Sequence, residues 1–143
     1  MQPFLLLASL FVLLVIPLGW LSALRVALAV MFLFTASAHW GRRRADLIRM
    51  VPPVFPRPEL MVTVTGVLEI IGAIGLLITP LAPYAAIGLT MLLVGIFPAN
   101  IRAAREDLTI GGRRATPLAL RAAIQVIFLA ATLAVAVGTL QRL

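Results

Sequence analysis

The run LMVTVTGVLEIIGAIGLLITPLAPYAAIGLTMLLVGIFPANI, Leu60 to Ile101, decides the fold. Two apolar blocks, Leu60 to Thr79 and Pro83 to Ile101, flank the connector Pro80, Leu81, Ala82, and Glu69 is the only charged side chain in the run. Either block, wound as a helix, reaches across a hydrocarbon layer of about 30 Å. Proline at the start of the connector and just after it predicts a tight turn, so the run reads as a helical hairpin in lipid.

The rest of the chain repeats this pattern. Of its 143 residues, 62% are hydrophobic and 12% charged, with a mean hydropathy of +1.11, whereas soluble domains carry about a quarter charged residues. Three further apolar segments, Pro3 to Trp20, Ser22 to Trp40 and Pro117 to Leu140, complete the count. The expected fold is an all-α integral membrane helical bundle, with four core transmembrane helices in residues 22–143 and an extra hydrophobic helix in residues 1–21. That first segment rises only about 27 Å, and Pro17 and Gly19 weaken it, so it is either a kinked span or a shorter element lying along its neighbour. It lacks the positive leading region of a signal peptide and reads as retained. Ser22 is a candidate cap for the next helix and Trp20 a candidate headgroup-level anchor.

Charge is confined to the connections. Ten of the twelve arginines fall within Arg42 to Arg57 and Arg102 to Arg121, there is no lysine, and the formal net charge is +7. Arginines placed in loops between apolar blocks do not make the basic face of a nucleic-acid-binding domain, which excludes that class. By the positive-inside rule the loops 41–59 and 102–116 are expected on the cytoplasmic side of a cell membrane, with the C-terminus outside. In the first loop Pro52, Pro53, Pro56 and Pro58 forbid regular helix and predict an extended, stiff strap. Its apolar residues Ile48, Met50, Val51, Val54 and Phe55 would lie against the mouth of the bundle or in the headgroup layer. Without cysteine, and with one histidine, the chain has no thiol chemistry and too few ligands for a protein-built metal centre. It has no built-in cofactor, and redox chemistry would need a borrowed one, such as a bound quinone.

The polar residues inside the apolar blocks carry the functional signal. Glu69 stands about 14 Å into its span, where an ionisable group costs a few kcal/mol unless paired or protonated. Thr65 and Gly72 share its face; Arg121, Gln125 and Thr132 align on the last segment, and Arg25 and His39 on the second. The expected arrangement gathers His39, Asn100 and Arg121 near the arginine-rich mouth, with Glu69 and Gln125 deeper. Arg25 would lie further out, ion-paired to Glu69. Pro98 would leave a free carbonyl one turn earlier as a further acceptor near Asn100. Residue spacing separates His39 and Glu69 by about 12 Å in depth, too far for one reacting centre. Two readings remain: buried groups that hold helices in register, or a polar pocket open to the mouth that takes an amphipathic ligand. Small residues at Gly66, Gly72, Ala73, Gly75, Gly88 and Gly95 predict close helix contacts, and the row Ala130, Ala134, Gly138 could meet a neighbouring helix or a second copy in a homo-oligomer.

The run Met50 to Asn100 joins the proline strap, a Thr-Gly-x-x-Glu-x-x-Gly-x-x-Gly-Leu-Leu helix and a Phe-Pro-Ala-Asn ending. In these it resembles the DoxX family of small bacterial membrane proteins. The likeness extends more weakly to Arg25, to Ala-His-Trp at 38 to 40 and to Arg121 through Gln125, covering about residues 22 to 140. The resemblance implies a four-helix membrane bundle with Arg25, His39, Glu69, Asn100 and Gln125 as the family-typical polar positions. The segment before Ser22 is extra to that pattern, and Ala82 with Pro83 stands where relatives often place an arginine. It further implies a small subunit or scaffold with a pocket for a quinone or lipid, serving a redox-enzyme or oxidative-stress partner. Its distant relatives and similar bundles imply two alternatives, a membrane-protein assembly chaperone and an intramembrane lipid isomerase-like enzyme.

Overall fold

The apolar segmentation is realised as helices in a computed structural model that describes residues 1–142, the side chain of Arg113 excepted. The elements are α1 (Gln2–Leu18), α2 (Trp20–Ser37), α3 (Arg44–Met50), α4 (Pro58–Leu77), α5 (Ala82–Arg105), the strands β1 (Thr109–Ile110) and β2 (Arg113–Arg114), and α6 (Leu118–Leu140). The helices α2, α4, α5 and α6 are long and apolar enough to cross a membrane. They form the core of an all-α helical bundle, with α1 as the additional N-terminal hydrophobic helix.

Adjacent helices run antiparallel, and small residues set their spacing. Along α2 and α4, Arg25 meets Leu76, Thr35 meets Glu69, and His39 packs on Gly66. A Cβ at Gly66 would lie 2.7 Å from His39 Cβ, and one at Gly72 would lie 2.5 Å from a Leu89 methyl. Gly75 faces Ala85 of α5, and Gly138 of α6 faces Leu21 and Trp20 of α2. The expected small-residue row on α6 thus meets α2 at its Gly138 end, while Ala130 is exposed. Between α5 and α6, Thr90 and the fully buried Thr132 share a hydroxyl hydrogen bond of 2.8 Å. Leu28, Met31, Leu76, Leu89 and Val135 fill the interior. Large apolar side chains such as Ile71, Val126 and Met91, the last 69% exposed, cover the outside. That distribution suits hydrocarbon as solvent, where an outward leucine-like surface carries no penalty.

Three local expectations change. Gly19, at φ 73°, separates α1 from α2, so α2 begins at Trp20 and Ser22 lies inside it rather than capping it. The left-handed φ suits glycine and breaks one apolar run into two helices. α1 rises only about 26 Å and lies along α2 with Leu7 buried. In the strap Gly41 to Arg43 and Val51 to Arg57 are irregular. Residues 44–50 precede the first proline and wind into α3, with Asp46 in its first turn and Arg49 in its last, each complementing the helix dipole. The loop 102–116 is shortened by the extension of α5 to Arg105 and closes in a β-hairpin. At its turn Gly111 (φ 59°) and Gly112 (φ 76°) both take the left-handed backbone of a two-residue hairpin turn.

Replacing Gly66 with alanine sets a Cβ against His39 Cβ and forces the end of α2 to shift, and in Gly72→Ala the buried Leu89 side chain must give way; overpacking of this kind costs about 1–3 kcal/mol. We expect both variants to melt below the parent in detergent. Gly88→Ala, whose Cβ would meet nothing within 4 Å, should not; a thermal melt of the three variants decides it.

Candidate functional site

A cavity of about 740 Å³ opens between the ends of α2, α4, α5 and α6 that carry the arginine loops. Its inner wall is mostly apolar, with Met31, Phe32, Leu93 and Phe128, and its rim comprises Arg42, Arg43, Val51, Pro52, Phe55 and Ile110. The strap therefore does lie against the mouth, and the hairpin joins it there. Ties between the two arginine loops hold this rim. Asp46 Oδ2 accepts from the Gly111 N–H at 2.8 Å, Arg49 donates to Asp46 and to Thr109 O, and Arg102 donates to Val51 O. Arg43 reaches Gln2 of α1 at 3.2 Å.

Five of the six residues expected at the site line this one cavity: His39, Glu69, Asn100, Arg121 and Gln125. Arg121 donates to Asn100 Oδ1 at 2.7 Å and to Thr116 O at 3.2 Å, forming a polar corner beside the rim. Gln125 donates to Leu93 O at 2.5 Å, so the α5 carbonyl in use is Leu93 rather than the one freed by Pro98. A smaller cavity of about 190 Å³ beside α1 is lined by Pro3, Phe4 and Ile124. It shares Asn100, Arg121, Gln125 and Phe128 with the first, so the polar corner is approached from two sides.

Arg25 departs from expectation. It donates to Leu76 O at 2.8 Å and Thr79 Oγ1 at 3.4 Å, satisfying a free carbonyl at the end of α4, and makes no ion pair with Glu69. The expected separation of His39 from Glu69 is overturned as well: His39 Nε2 lies 3.9 Å from Glu69 Oε1. One rule accounts for both. Side chains on a helix lean toward its N-terminus. His39, just past the end of α2, leans inward from the mouth, and Glu69 on the antiparallel α4 leans outward toward it. Arg25, near the start of α2, leans away from both.

The pair is built with care. His39 is 8% exposed and Glu69 5%. His39 Nδ1 faces the carbonyls of Ala36 at 3.2 Å and Thr35 at 3.3 Å, which selects the tautomer with hydrogen on Nδ1 and a lone pair on Nε2. Burial lowers the imidazole pKa from its ordinary value and the nearby Arg44 guanidinium adds to this, while the two carbonyls oppose it. Arg44 also donates to His39 O at 2.7 Å and Thr63 Oγ1 at 2.9 Å, stapling the end of α2 to the start of α4. Glu69 Oε2 accepts from Thr35 Oγ1 at 2.7 Å. Thr35 and Arg44 contact the pair without having been expected at the site, and Gly66, expected as a close helix contact, is where His39 packs. The i, i+4 spacing of Thr35 and His39 was the available signal for the first. Among the described residues no group of three or more His, Cys, Asp or Glu is placed to hold a metal ion.

A family model described as "Domain of unknown function (DUF8561)" matches residues 28–136. The chain belongs to that family. The matched span contains every element of the cavity except α1 and the start of α2. No curated protein and no solved structure matches the chain.

The rim tie between Asp46 and Gly111 is pH-dependent. The Gly111 N–H is the main reason the Asp46 carboxyl titrates below the ordinary aspartate range; partial burial opposes it, and Arg49 and Arg43 add to the lowering. A depressed folded-state pKa stabilises the tie above the unfolded value of about 3.9, and that contribution disappears as pH falls through the folded value. The Gly111 amide should therefore lose hydrogen-exchange protection below that range, and Asp46→Asn should remove the pH dependence. An unchanged pH profile in the variant would contradict the assignment.

Proposed function

We propose that this protein is a multi-pass cell-membrane protein whose cavity holds an amphipathic ligand, a quinone or a lipid. In this reading it serves as a small subunit or scaffold for a redox-enzyme or oxidative-stress partner. The observation that carries the reading is the cavity: large, mostly apolar, and served by a few convergent polar groups at Glu69, His39, Gln125 and the Arg121–Asn100 corner. Volume and polarity of this kind suit a bound molecule. A bundle needing only interhelical glue would close on its polar groups instead. The resemblance of Met50 to Asn100 to the DoxX family supports the redox context. Both arginine loops lie at one end of the bundle and are tied to each other, as the cytoplasmic placement of 41–59 and 102–116 requires.

A second reading, an intramembrane acid/base enzyme of the lipid isomerase type, gains from the closeness of His39 and Glu69. Two titratable groups 3.9 Å apart meet the geometric requirement that residue spacing alone denied them.

Solvent extraction and mass spectrometry of the purified protein should find one apolar, polar-headed molecule retained in roughly stoichiometric amount. Glu69→Gln should keep the fold and melting temperature while retaining markedly less of it. Equal retention at full stability would remove Glu69 from the ligand site, and an empty parent protein in mild detergent would count against the reading as a whole.

A further inference from the structure

The cavity wall presents two polar atoms that have no partner among the described residues. On His39, Nδ1 is engaged by backbone carbonyls and Nε2 is not; on Glu69, Oε2 is engaged by Thr35 and Oε1 is not. Among the described residues, no buried side-chain nitrogen or oxygen lacks a partner. These two free atoms therefore open onto the cavity rather than into packed protein. At 3.9 Å they are too far apart to bond each other directly. An oxygen placed about 2.8 Å from each would subtend roughly a right angle, within the range one hydroxyl serves. The position is fixed from behind by Gly66, where any side chain would collide with the imidazole, and by Arg44 on the His39 carbonyl.

The polarity of the two atoms selects the visitor. With hydrogen on Nδ1, Nε2 is an acceptor and wants a donated proton. Oε1 accepts when Glu69 is ionised and donates when it is protonated. A hydroxyl completes the pair when Glu69 is protonated, donating its one proton to Nε2 and accepting from Oε1–H; against an ionised Glu69 it can donate to only one of the two acceptors. A ligand carboxylate or phosphate would set lone pairs against lone pairs, and its favourable place is the guanidinium rim instead. We infer that the free edges of His39 and Glu69 form the recognition point for a neutral, hydroxyl-headed amphiphile, a phenol, quinol or alcohol, whose apolar body lies against Phe32 and Phe128. This deepens the reading of the cavity as a ligand site and rests on it.

The chain has one histidine, so a ¹⁵N-histidine-labelled sample reports on His39 without assignment. The probes are 4-nonylphenol, nonylbenzene of the same size without the hydroxyl, and dodecanoate. Binding to the detergent-solubilised full chain is counted by native mass spectrometry. The inference predicts that nonylphenol binds about tenfold more tightly than nonylbenzene, the scale of one hydrogen bond to a buried acceptor. It also predicts that nonylphenol shifts the Nε2 resonance while nonylbenzene leaves it in place. In Glu69→Leu the preference for the phenol should fall to threefold or less. Phenol that binds without moving Nε2, or dodecanoate that binds best and is lost in Arg121→Gln, would overturn the hydroxyl assignment and leave the cavity as a ligand site. If none of the three probes binds, the ligand-site reading fails with it.

Discussion

The approach of α2 to α4 at Gly66 governs what this bundle can do. With no side chain at Gly66, the imidazole of His39 lies directly on the α4 backbone, and Arg44 holds the end of α2 in that position. The antiparallel run then turns helical side-chain direction into chemistry. Thr35 and His39 lean inward, Glu69 leans outward, and the three meet at one level. The same direction sends Arg25 to the far end of α4, where it satisfies the Leu76 carbonyl that hydrocarbon would leave unpaired.

Two solvents shape the rest. Outward faces carry large apolar side chains suited to acyl tails, and the polar groups inside the bundle are bonded across helices: Thr90 to Thr132, Gln125 to Leu93, Arg121 to Asn100. The last two of these contacts line the cavity, and Thr90 to Thr132 ties α5 to α6 outside it. The strap and the glycine hairpin form its rim, joined by Asp46 and Arg49. The cavity therefore has a mostly apolar interior with a few bonded polar groups, an arginine-bearing mouth, and a side approach beside α1.

Much of this was legible in the chain. Apolar length between turn formers located the long helices, and five of six polar candidates do share one cavity. Spacing along a helix gives the height of a Cα; it does not by itself give the height of a functional atom. A glutamate and a histidine leaning toward each other close a gap that residue counting opens, and an arginine leaning away opens one that counting closes. The Gly-Gly turn at 111–112 was available as a hairpin signal, obscured by short strands within an arginine-rich loop. The prolines of the strap governed only the residues around them, leaving Arg44 to Met50 free to wind.

Inward orientation of the polar face is the central claim, and the absence of cysteine makes it directly measurable. Single cysteines at Gln125 and Thr35, which line the cavity, and at Ile71 on the outer face are exposed to a small water-soluble methanethiosulfonate reagent in reconstituted membranes. The account predicts that Gln125→Cys and Thr35→Cys react and that Ile71→Cys does not. Reaction at Ile71→Cys with protection of the other two would place the polar face toward the wrong solvent and contradict it.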